Sequence, residues 1–329
     1  MAAAKISTST VVMDDGVKLY VKFHGDVSDT TKPLIIGLHG GPGLGNHTAL
    51  DGTLGDLASS FRVLVYDARG SGVSDLVGPY THERWIKDIE NLRIWAGAET
   101  FVLAGHSYGG FIALDYAISH PNRLSGLILI DTWTVGTLGQ MGALANILTS
   151  DRVQNVDKDR QLRIWSGNLL SDQDYQDGIT EILAFYSPPD EEGAPKKPAT
   201  PAPMPADLFG PHKPFHIHYE TQNWAFGWNL PRFDVRKKLK DIKASPSLSR
   251  PTLTRSPALV FPLPCGVVPT LITVGRHDQV TPVSFALELE KGIPNSRLEI
   301  FEHSSHSPYV DEPDKFRDVL LDFVKSKVL

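Results

Sequence analysis

Short apolar runs recur at regular intervals through the first 131 residues of the chain. Four of these runs are nearly continuous, as in parallel strands buried on both faces, and they occupy residues 33–40, 62–70, 100–107 and 124–131. The stretches between them have helical periodicity, at residues 47–61, 81–97 and 107–121. Before them, "TVVMDDGVKLYVKFHG" has two strand patterns around Asp-Asp-Gly, which predicts a hairpin. The pattern predicts an α/β fold with a mostly parallel, doubly wound sheet.

The alternation of strands and helices stops at Asp131 and resumes at residues 269–278, followed by a strand pattern at 296–304 and a final helix. The interval contains helical patterns at 160–170 and 174–187, and a Pro-rich segment at 188–211 that we expect to be a mobile loop. We predict a core in two parts, residues 1–131 and 268–329, with an inserted, mainly helical cap at 132–243. Such a cap would cover the carboxyl ends of the strands, where ligands bind in open α/β sheets.

Residues 244–267 fit neither the core nor the cap. This segment, "ASPSLSRPTLTRSPALVFPLPCGV", mixes Ser, Pro, Leu and Arg without the period of a helix or a strand. It is either a disordered loop or non-coding sequence read into the protein by a gene-model error. We favour the second hypothesis, which sequencing of the transcript would test.

The composition excludes several classes of partner. The net charge is −6 and the isoelectric point is about 6.0, so no basic footprint for nucleic acid or an anionic membrane is present. No apolar run approaches the length of a membrane span, and "MAAAKISTST" lacks a signal-peptide core. Cys265 is the single cysteine, so no intrachain disulfide can form. These features predict a cytoplasmic protein.

The segment "FVLAGHSYGG" places Ser107 where a predicted strand turns into a predicted helix. Gly105, Ser107 and Gly109 match G-x-S-x-G, the nucleophile elbow that exposes a serine hydroxyl at a strained turn. In the alternative interpretation, Ser107 is only the helix N-cap. The rest of the chain must decide between these interpretations.

A serine nucleophile needs a base, and the base needs an acid to orient it. In this architecture the chain order is Ser, acid, His, and Asp278 and His306 follow later strand patterns in that order. Asp131 is a rival acid, although the segment around Asp278 is the more complete. His303 is a rival base, but we expect it still to belong to the strand. For His106, beside Ser107, we expect a packing role.

A tetrahedral intermediate also needs two hydrogen-bond donors for its oxyanion. The amide after the nucleophile belongs to Tyr108, and the loop "HGGPG" at 39–43 offers a second amide, for which we favour Gly41. The alternative for this Gly/Pro loop is an ordinary turn.

Five segments, "HGGPG", "YDARGSGVSD", "GHSYGG", "PTLITVGRHDQVTP" and "SSHSPYVDEP", together resemble the proline iminopeptidase group of the α/β hydrolases. The resemblance covers residues 10–131 and 269–329, and the cap only loosely. It implies an α/β-hydrolase fold without a cofactor, in a group of prolyl aminopeptidases, broader aminopeptidases and amino-acid amidases. Carried over, Ser107, Asp278 and His306 form the triad and Gly41 and Tyr108 the oxyanion hole. It also implies that Asp67 and Arg69 tie the loop after the fourth strand to "HGGPG".

The residues that stand where this group recognises a free α-amine differ from the group's pattern. In the group, glutamates supply negative charge to the amine, and one often follows the triad Asp directly, where this chain has Gln279. An approximate alignment of the cap places Asn223 near a second such site. Neutral amides bind an ammonium less well than carboxylates do. Glu220 or Glu181 could compensate, so we name Gln279 and Glu220 as candidate substrate-binding residues.

Aromatic residues of the cap are candidates for an apolar pocket over Ser107, with Trp224 as a candidate substrate contact. The set is Trp165, Trp224, Phe226 and Trp228. Their alternative role is packing within the cap. The histidines of "HKPFHIH", His212, His216 and His218, have spacings that a metal could use, but without nearby cysteines or paired carboxylates we expect no metal site.

These residues support three alternative hypotheses about the function. The leading one is a serine hydrolase that releases an N-terminal proline or another small amino acid from a peptide or amide. The rival is an esterase or amidase that acts on a specialised metabolite such as an aminoacyl ester, for which Gln279 and the altered cap argue. The third is a hydrolase-fold binding protein, against which the complete set of triad residues argues. We expect a small-molecule or short-peptide substrate.

Overall fold

The computed structural model describes residues 5–189, 217–243 and 266–329. Three features singled out from the sequence therefore lie outside the described residues, apart from their first or last positions. They are the Pro-rich segment from residue 190 onward, residues 244–265 with Cys265, and the pair His212 and His216.

One mixed sheet of eight strands, in the order β1-β2-β4-β3-β5-β6-β7-β8, forms the centre of the molecule. The strands are β1 (Ile6–Val12), β2 (Lys18–His24), β3 (Leu34–Leu38), β4 (Arg62–Tyr66), β5 (Phe101–His106), β6 (Leu124–Ile130), β7 (Thr270–Gly275) and β8 (Ser296–Phe301). β1 and β2 form the predicted hairpin, and β2 pairs antiparallel with β4. All other pairs are parallel, so the prediction of a mostly parallel α/β sheet is confirmed.

Ten α-helices lie in the described residues. They are α1 (Thr48–Gly55), α2 (His82–Trp95), α3 (Tyr108–Ser119), α4 (Gly136–Thr149), α5 (Lys158–Ser166), α6 (Asp172–Glu181), α7 (Tyr219–Trp224), α8 (Val283–Gly292), α9 (Pro308–Asp311) and α10 (Pro313–Phe323). Side-chain oxygens cap three of these helices at the N-terminus and satisfy backbone N–H groups that a helix leaves unpaired. The capping residues are Thr81, Asp157 and Ser171.

The sheet is covered on both faces, because neighbouring residues of each parallel strand enter different apolar clusters. In β3, for example, Ile35 joins a cluster with α1 and α10, whereas Ile36 joins the cluster that contains α2, α3 and α8. Apolar side chains on both faces explain the continuous apolar runs in the sequence. No helix among the described residues combines the length and the apolar character that crossing a membrane requires.

Helices α4 to α7 lie between β6 and β7, in the part of the chain predicted to form the cap. This region contacts the loops at the carboxyl ends of β3 and β4. Thr221 Oγ1 donates to Gly70 O at 3.0 Å, and the His218 N–H donates to Gly43 O at 2.8 Å. The domain boundaries themselves stay a prediction.

Candidate active site

Ser107 occupies a strained turn between β5 and α3. Its backbone has φ 53° and ψ −119°, a conformation that residues with side chains rarely adopt. The flanking glycines are required by close packing, since a Cβ at Gly109 would lie 2.4 Å from Leu38 O and one at Gly105 would lie 2.5 Å from Gly109 O. Ser107 makes no side-chain cap hydrogen bond to its helix. Its hydroxyl is therefore available to a partner outside the helix.

That partner is His306, which links Ser107 to Asp278. His306 Nε2 lies 2.9 Å from Ser107 Oγ, and His306 Nδ1 lies 2.8 Å from Asp278 Oδ2. When the Nδ1–H group is hydrogen-bonded to the carboxylate, Nε2 of the imidazole is free to accept the serine proton. The structure thus brings together three residues from distant parts of the chain in the geometry of a nucleophile, a base and an orienting acid.

Asp278 is buried yet ionised. Its Oδ1 accepts hydrogen bonds from the N–H groups of Val280 and Thr281, both at 2.8 Å, and the Thr281 hydroxyl donates to Oδ2. Burial raises the pKa of Asp278, but the charge and hydrogen bond of His306 and the bonds from Thr281 outweigh it and lower the pKa to about 2. A carboxylate is therefore present beside His306 at neutral pH.

The rival acid, Asp131, lies at the end of β6 and has different partners. Its Oδ1 accepts from the Gly275 N–H at 3.0 Å, and its buried Oδ2 has no hydrogen-bond partner among the described residues. Burial and the nearby Asp278 charge raise the pKa of Asp131 well above its ordinary value. Asp278, and not Asp131, makes the hydrogen bond to His306.

The rival histidines occupy other places. β8 ends at Phe301, so the expectation that His303 still belongs to the strand is wrong; His303 lies in the following turn, where its side chain is exposed. His106 is buried, and its Nε2 lies 2.9 Å from His306 O. Burial, together with the neighbouring His306, lowers the pKa of His106 to about 3. A neutral His106 therefore packs under the loop that carries His306.

Two backbone amides near Ser107 make no hydrogen bond within the described part of the chain. They belong to Gly41, in the loop after β3, and to Tyr108, the first residue of α3. Both residues and Ser107 line one cavity. The loop approaches the serine so closely that a Cβ at Gly40 would lie 2.7 Å from Ser107 Cβ. These unpaired donors beside the hydroxyl have the character of an oxyanion hole.

Several hydrogen bonds join the loops after β3 and β4, and one of the two residues that the family resemblance implied takes part in them. The Gly43 N–H donates to Ser71 Oγ at 2.9 Å, and the Ala68 N–H donates to His39 Nε2 at 3.0 Å. Asp67 Oδ1 also accepts from the His47 N–H at 2.7 Å, at the far end of the loop that contains residues 39–43, whereas Arg69 forms an ion pair with Asp88. The prediction is therefore confirmed for Asp67, which ties the two loops through His47, and wrong for Arg69, whose hydrogen bonds lead to other parts of the chain.

A largely apolar cavity of about 430 Å³ opens beside Ser107, between the sheet and α5 to α7. Aromatic and aliphatic side chains dominate its wall, among them Phe111, Trp133, Ile164, Trp165, Tyr175, Ile179, Leu183, Tyr186, Phe226 and Val280. The only carboxylate among the described lining residues is Asp311, which accepts a hydrogen bond from the Ser305 N–H at 2.9 Å. The cavity suits a small apolar group on the substrate.

The three predicted substrate-binding residues are not in this wall. Gln279 follows Asp278, but its carbonyl accepts from Asn146 Nδ2 at 2.8 Å. The Glu220 side chain is 59 % exposed, and Trp224 is exposed and packs on Trp228. Gln279, Glu220 and Trp224 therefore do not line the described cavity, and their role as substrate contacts stays a prediction.

The other residues nominated from the sequence differ in whether they line the cavity. Trp165 and Phe226 line the cavity, as the sequence predicted, whereas Trp228 does not. Asn223 exchanges two hydrogen bonds with the backbone of Leu169, and Glu181 pairs with Arg160. Most of the described lining residues, Trp133, Tyr175 and Gln222 among them, are absent from the sequence-based candidates. These three lie in separate elements, so no local motif marks them as neighbours.

Two groups of described residues could in principle bind a metal ion, and both have hydrogen-bond or ion-pair partners within the protein. His218, the one described member of the cap histidines, lies 2.7 Å through Nδ1 from Thr221 Oγ1. One cluster of acidic side chains, formed by Asp14, Asp15 and Asp88, lies among the described residues. The guanidinium groups of Arg69 and Arg84 form ion pairs with these three carboxylates. This arrangement stabilises the hairpin turn against α2.

Comparison with known proteins places this geometry in context. A family model described as the alpha/beta hydrolase fold matches residues 33–313, which include all three residues of the Ser–His–Asp arrangement. The proline iminopeptidase of Saccharolobus solfataricus is 30 % identical, over 94 % of this chain and 89 % of that protein. The proline iminopeptidase of Clostridioides difficile is 26 % identical, over 94 % of this chain and 96 % of that protein. Among solved structures, VinJ superposes with a TM-score of 0.67 at 23 % identity, covering 98 % of this chain and 99 % of VinJ, which is a similarity of fold.

Proposed function

The chain belongs to the alpha/beta hydrolase fold family, and we propose that it is a serine hydrolase with Ser107 as nucleophile, His306 as general base and Asp278 as the acid that orients His306. The observation that carries this proposal is the continuous hydrogen-bonded chain from Ser107 Oγ through His306 to Asp278, with distances of 2.9 and 2.8 Å. The strained backbone of Ser107 and the low pKa of Asp278 support the same roles.

The geometry supports a two-step reaction. Ser107 Oγ attacks the substrate carbonyl while His306 Nε2 takes its proton, and the N–H groups of Tyr108 and Gly41 stabilise the oxyanion. Collapse of the intermediate breaks the bond to the leaving group, which receives the proton from His306. Water then attacks the acyl-enzyme while His306 takes the proton of the water. Collapse of this second intermediate returns the proton to Ser107 Oγ and releases the acid product.

For the substrate, we propose an N-terminal proline or another small amino acid, released from a peptide or amide. The names of the full-length relatives support this choice, and the cavity is of a size and apolarity that suit a pyrrolidine ring. The test is hydrolysis of prolyl β-naphthylamide by the purified protein. We expect turnover by the unaltered chain and its loss in Ser107→Ala, whereas equal turnover by both proteins would contradict the proposal.

A second candidate is hydrolysis of an ester or amide of a neutral acid. It is favoured because the described cavity wall has one carboxylate, Asp311, which is already bonded to the Ser305 backbone. An ammonium group needs a charged partner to offset the loss of its hydration. Turnover of a neutral acyl ester, without turnover of prolyl β-naphthylamide, would replace the first candidate with the second.

A further inference from the structure

Gln222 is the one amide side chain among the described lining residues, and part of its hydrogen-bonding capacity is used by no described residue. Gln222, on α7, is 2 % exposed and lines the cavity beside Ser107. The Tyr175 hydroxyl lies 3.0 Å from its Oε1, and its Nε2 makes no hydrogen bond to the described residues. Buried amide groups are normally paired on both ends, because an unpaired one forfeits its hydration. The free end of Gln222 therefore suits a group supplied by the substrate.

Tyr175 fixes where this amide stands. Its hydroxyl lies 3.2 Å from Pro42 O as well as 3.0 Å from Gln222 Oε1. Pro42 directly follows Gly41, so the Tyr175 hydroxyl, whose one hydrogen is shared between these two acceptors, connects Gln222 to the loop beside the serine. A carboxamide can also turn by 180° about its last bond. In either orientation one end meets Tyr175, and the other end remains for a ligand in the cavity.

The chemistry of a carboxamide limits what it can select. It donates or accepts neutral hydrogen bonds but offers no charge, so it stabilises an ammonium much less than a carboxylate would. Much of the wall is apolar, as at Phe111, Phe226 and Val280, and the other polar side chains in it are mostly neutral hydroxyl groups. Gln222 therefore adds a neutral amide to a largely apolar cavity.

We propose that Gln222 is a specificity-determining residue that hydrogen-bonds a neutral polar atom of the acyl group, close to the scissile carbonyl. This inference rests on the proposed serine hydrolase function and, of the two candidate substrates, agrees with the second, the ester or amide of a neutral acid. The preferred acyl group is a small ring or chain with one uncharged oxygen or nitrogen next to the carbonyl. Tyr175 is a positioning residue that acts through Gln222.

Three phenyl esters with the same five-membered ring test this inference. Tetrahydrofuran-2-carboxylate has a neutral ring oxygen beside the carbonyl, cyclopentanecarboxylate has none, and prolinate has an ammonium. Each kcat/KM is divided by the rate of hydroxide hydrolysis, which removes differences in intrinsic reactivity. The unaltered protein should prefer the tetrahydrofuran ester to the cyclopentane ester by about three- to tenfold, the effect of one neutral hydrogen bond.

Substitution of Gln222 should change this ratio. Gln222→Met, which keeps the size of the side chain, should bring the ratio close to one. Gln222→Glu should raise kcat/KM for the prolyl ester relative to the tetrahydrofuran ester by about ten- to a hundredfold, because the hydrogen bond becomes charge-assisted. Gln222→Glu also keeps the inference testable if Gln222→Met does not fold.

A matched control is available in the cap. Gln161 is buried as well, but it donates to Gly178 O at 2.8 Å and does not line the cavity. Gln161→Met should therefore keep the ratio of the unaltered protein. An equal ratio in the unaltered protein and Gln222→Met would overturn the inference. Undiminished hydrolysis of the esters by Ser107→Ala would overturn the proposed function instead, which separates the two failures.

Discussion

Asp131 and Asp278 are buried carboxyl groups beside neighbouring strands, and their surroundings drive their ionisation in opposite directions. Asp278 has His306, Thr281 and two backbone N–H groups as partners, so its pKa is lowered to about 2. Asp131 has one backbone N–H, and the charge of Asp278 nearby raises its pKa further. Only Asp278 can stabilise a protonated His306 during the reaction.

Neutral replacements should therefore have unequal effects on activity. Asp278→Asn should lower kcat on the order of 10⁴-fold, because an amide neither holds the imidazole tautomer nor stabilises its charge. Asp131→Asn should cost far less, since Asp131 makes no hydrogen bond to His306 and its one described partner is the Gly275 N–H. Steady-state kinetics of the two variants on one substrate give the comparison, and equal losses would contradict the assignment of Asp278.

The raised pKa of Asp131 also predicts a pH-dependent stability. Between the ordinary pKa of an aspartate, about 4, and the raised pKa of Asp131, the folded protein keeps a proton that the unfolded chain releases, so the free energy of unfolding falls as the pH rises, by up to about 1.4 kcal/mol per pH unit from this group. Asp131→Asn removes this pH-dependent contribution to the free energy of unfolding. Urea unfolding at pH 5 and pH 8 should show the variant gaining stability relative to the unaltered protein at the higher pH. A pH-independent difference would contradict the prediction.

The two candidate bases can be separated in the same way. His306→Ala should lower kcat by about 10⁴-fold or more, because the serine loses its proton acceptor. His303→Ala should have a small effect, since His303 is exposed in the turn after β8 and Ser107 Oγ is bonded to His306. Parallel kinetics on the two variants decide, and the opposite ranking would move the base to His303.

At the scale of the element, the turn from β5 into α3 positions both the hydroxyl and the Tyr108 N–H. The helix approaches β3 so closely that Gly109 leaves no space for a methyl group beside Leu38 O and His39 O. The strain of the elbow is thus maintained by tight packing of α3 against the sheet.

Gly109→Ala should therefore lower both stability and activity. The added Cβ must displace α3, at a cost of about 1–3 kcal/mol or more in unfolding free energy, and the shift misplaces Ser107. Gly142→Ala is the control, because a Cβ there meets nothing within 4 Å in α4 and should stabilise by about 0.5–1 kcal/mol. Chemical unfolding and kinetics of both variants test this. A Gly109→Ala protein as stable and active as the control would contradict the packing argument.

Strands were predictable because their apolar runs reflect local burial on both faces, and all eight patterns occur as strands. The end of β8 was not predictable from the sequence. The strand pattern continues to His303, but the chain turns after Phe301 and brings His306 next to His106 at the end of β5. The cavity wall was the least predictable part. Gln222 and Tyr175 meet only through the packing of α6 against α7, a tertiary contact without a sequence motif.

At the scale of the whole molecule, the fold joins residues that the sequence separates widely. Ser107 and His306 are 199 positions apart, yet β5 and the loop after β8 converge at the carboxyl edge of one sheet. The predicted chain order of nucleophile, acid and base follows from that topology, which is why the sequence could nominate all three. Much of the cavity wall comes instead from the region between β6 and β7, for which the sequence offers no comparable rule.

The segment at residues 244–267 raises a separate question at this scale. It separates the buried Ile242 from the buried Val268, which belong to one apolar cluster. Our hypothesis that the segment derives from non-coding sequence predicts a mature transcript without it. Sequencing of that transcript gives the answer, and a message that contains the whole segment would contradict the hypothesis.

The central claim is that Ser107 is an activated nucleophile, and covalent labelling tests it most directly. The protein is incubated with a fluorophosphonate, digested, and its peptides are mapped by mass spectrometry. The account predicts one stoichiometric adduct on Ser107, slowed strongly in His306→Ala and abolished in Ser107→Ala, with loss of hydrolysis in proportion to labelling. An adduct on another residue, or undiminished labelling of Ser107→Ala, would contradict it.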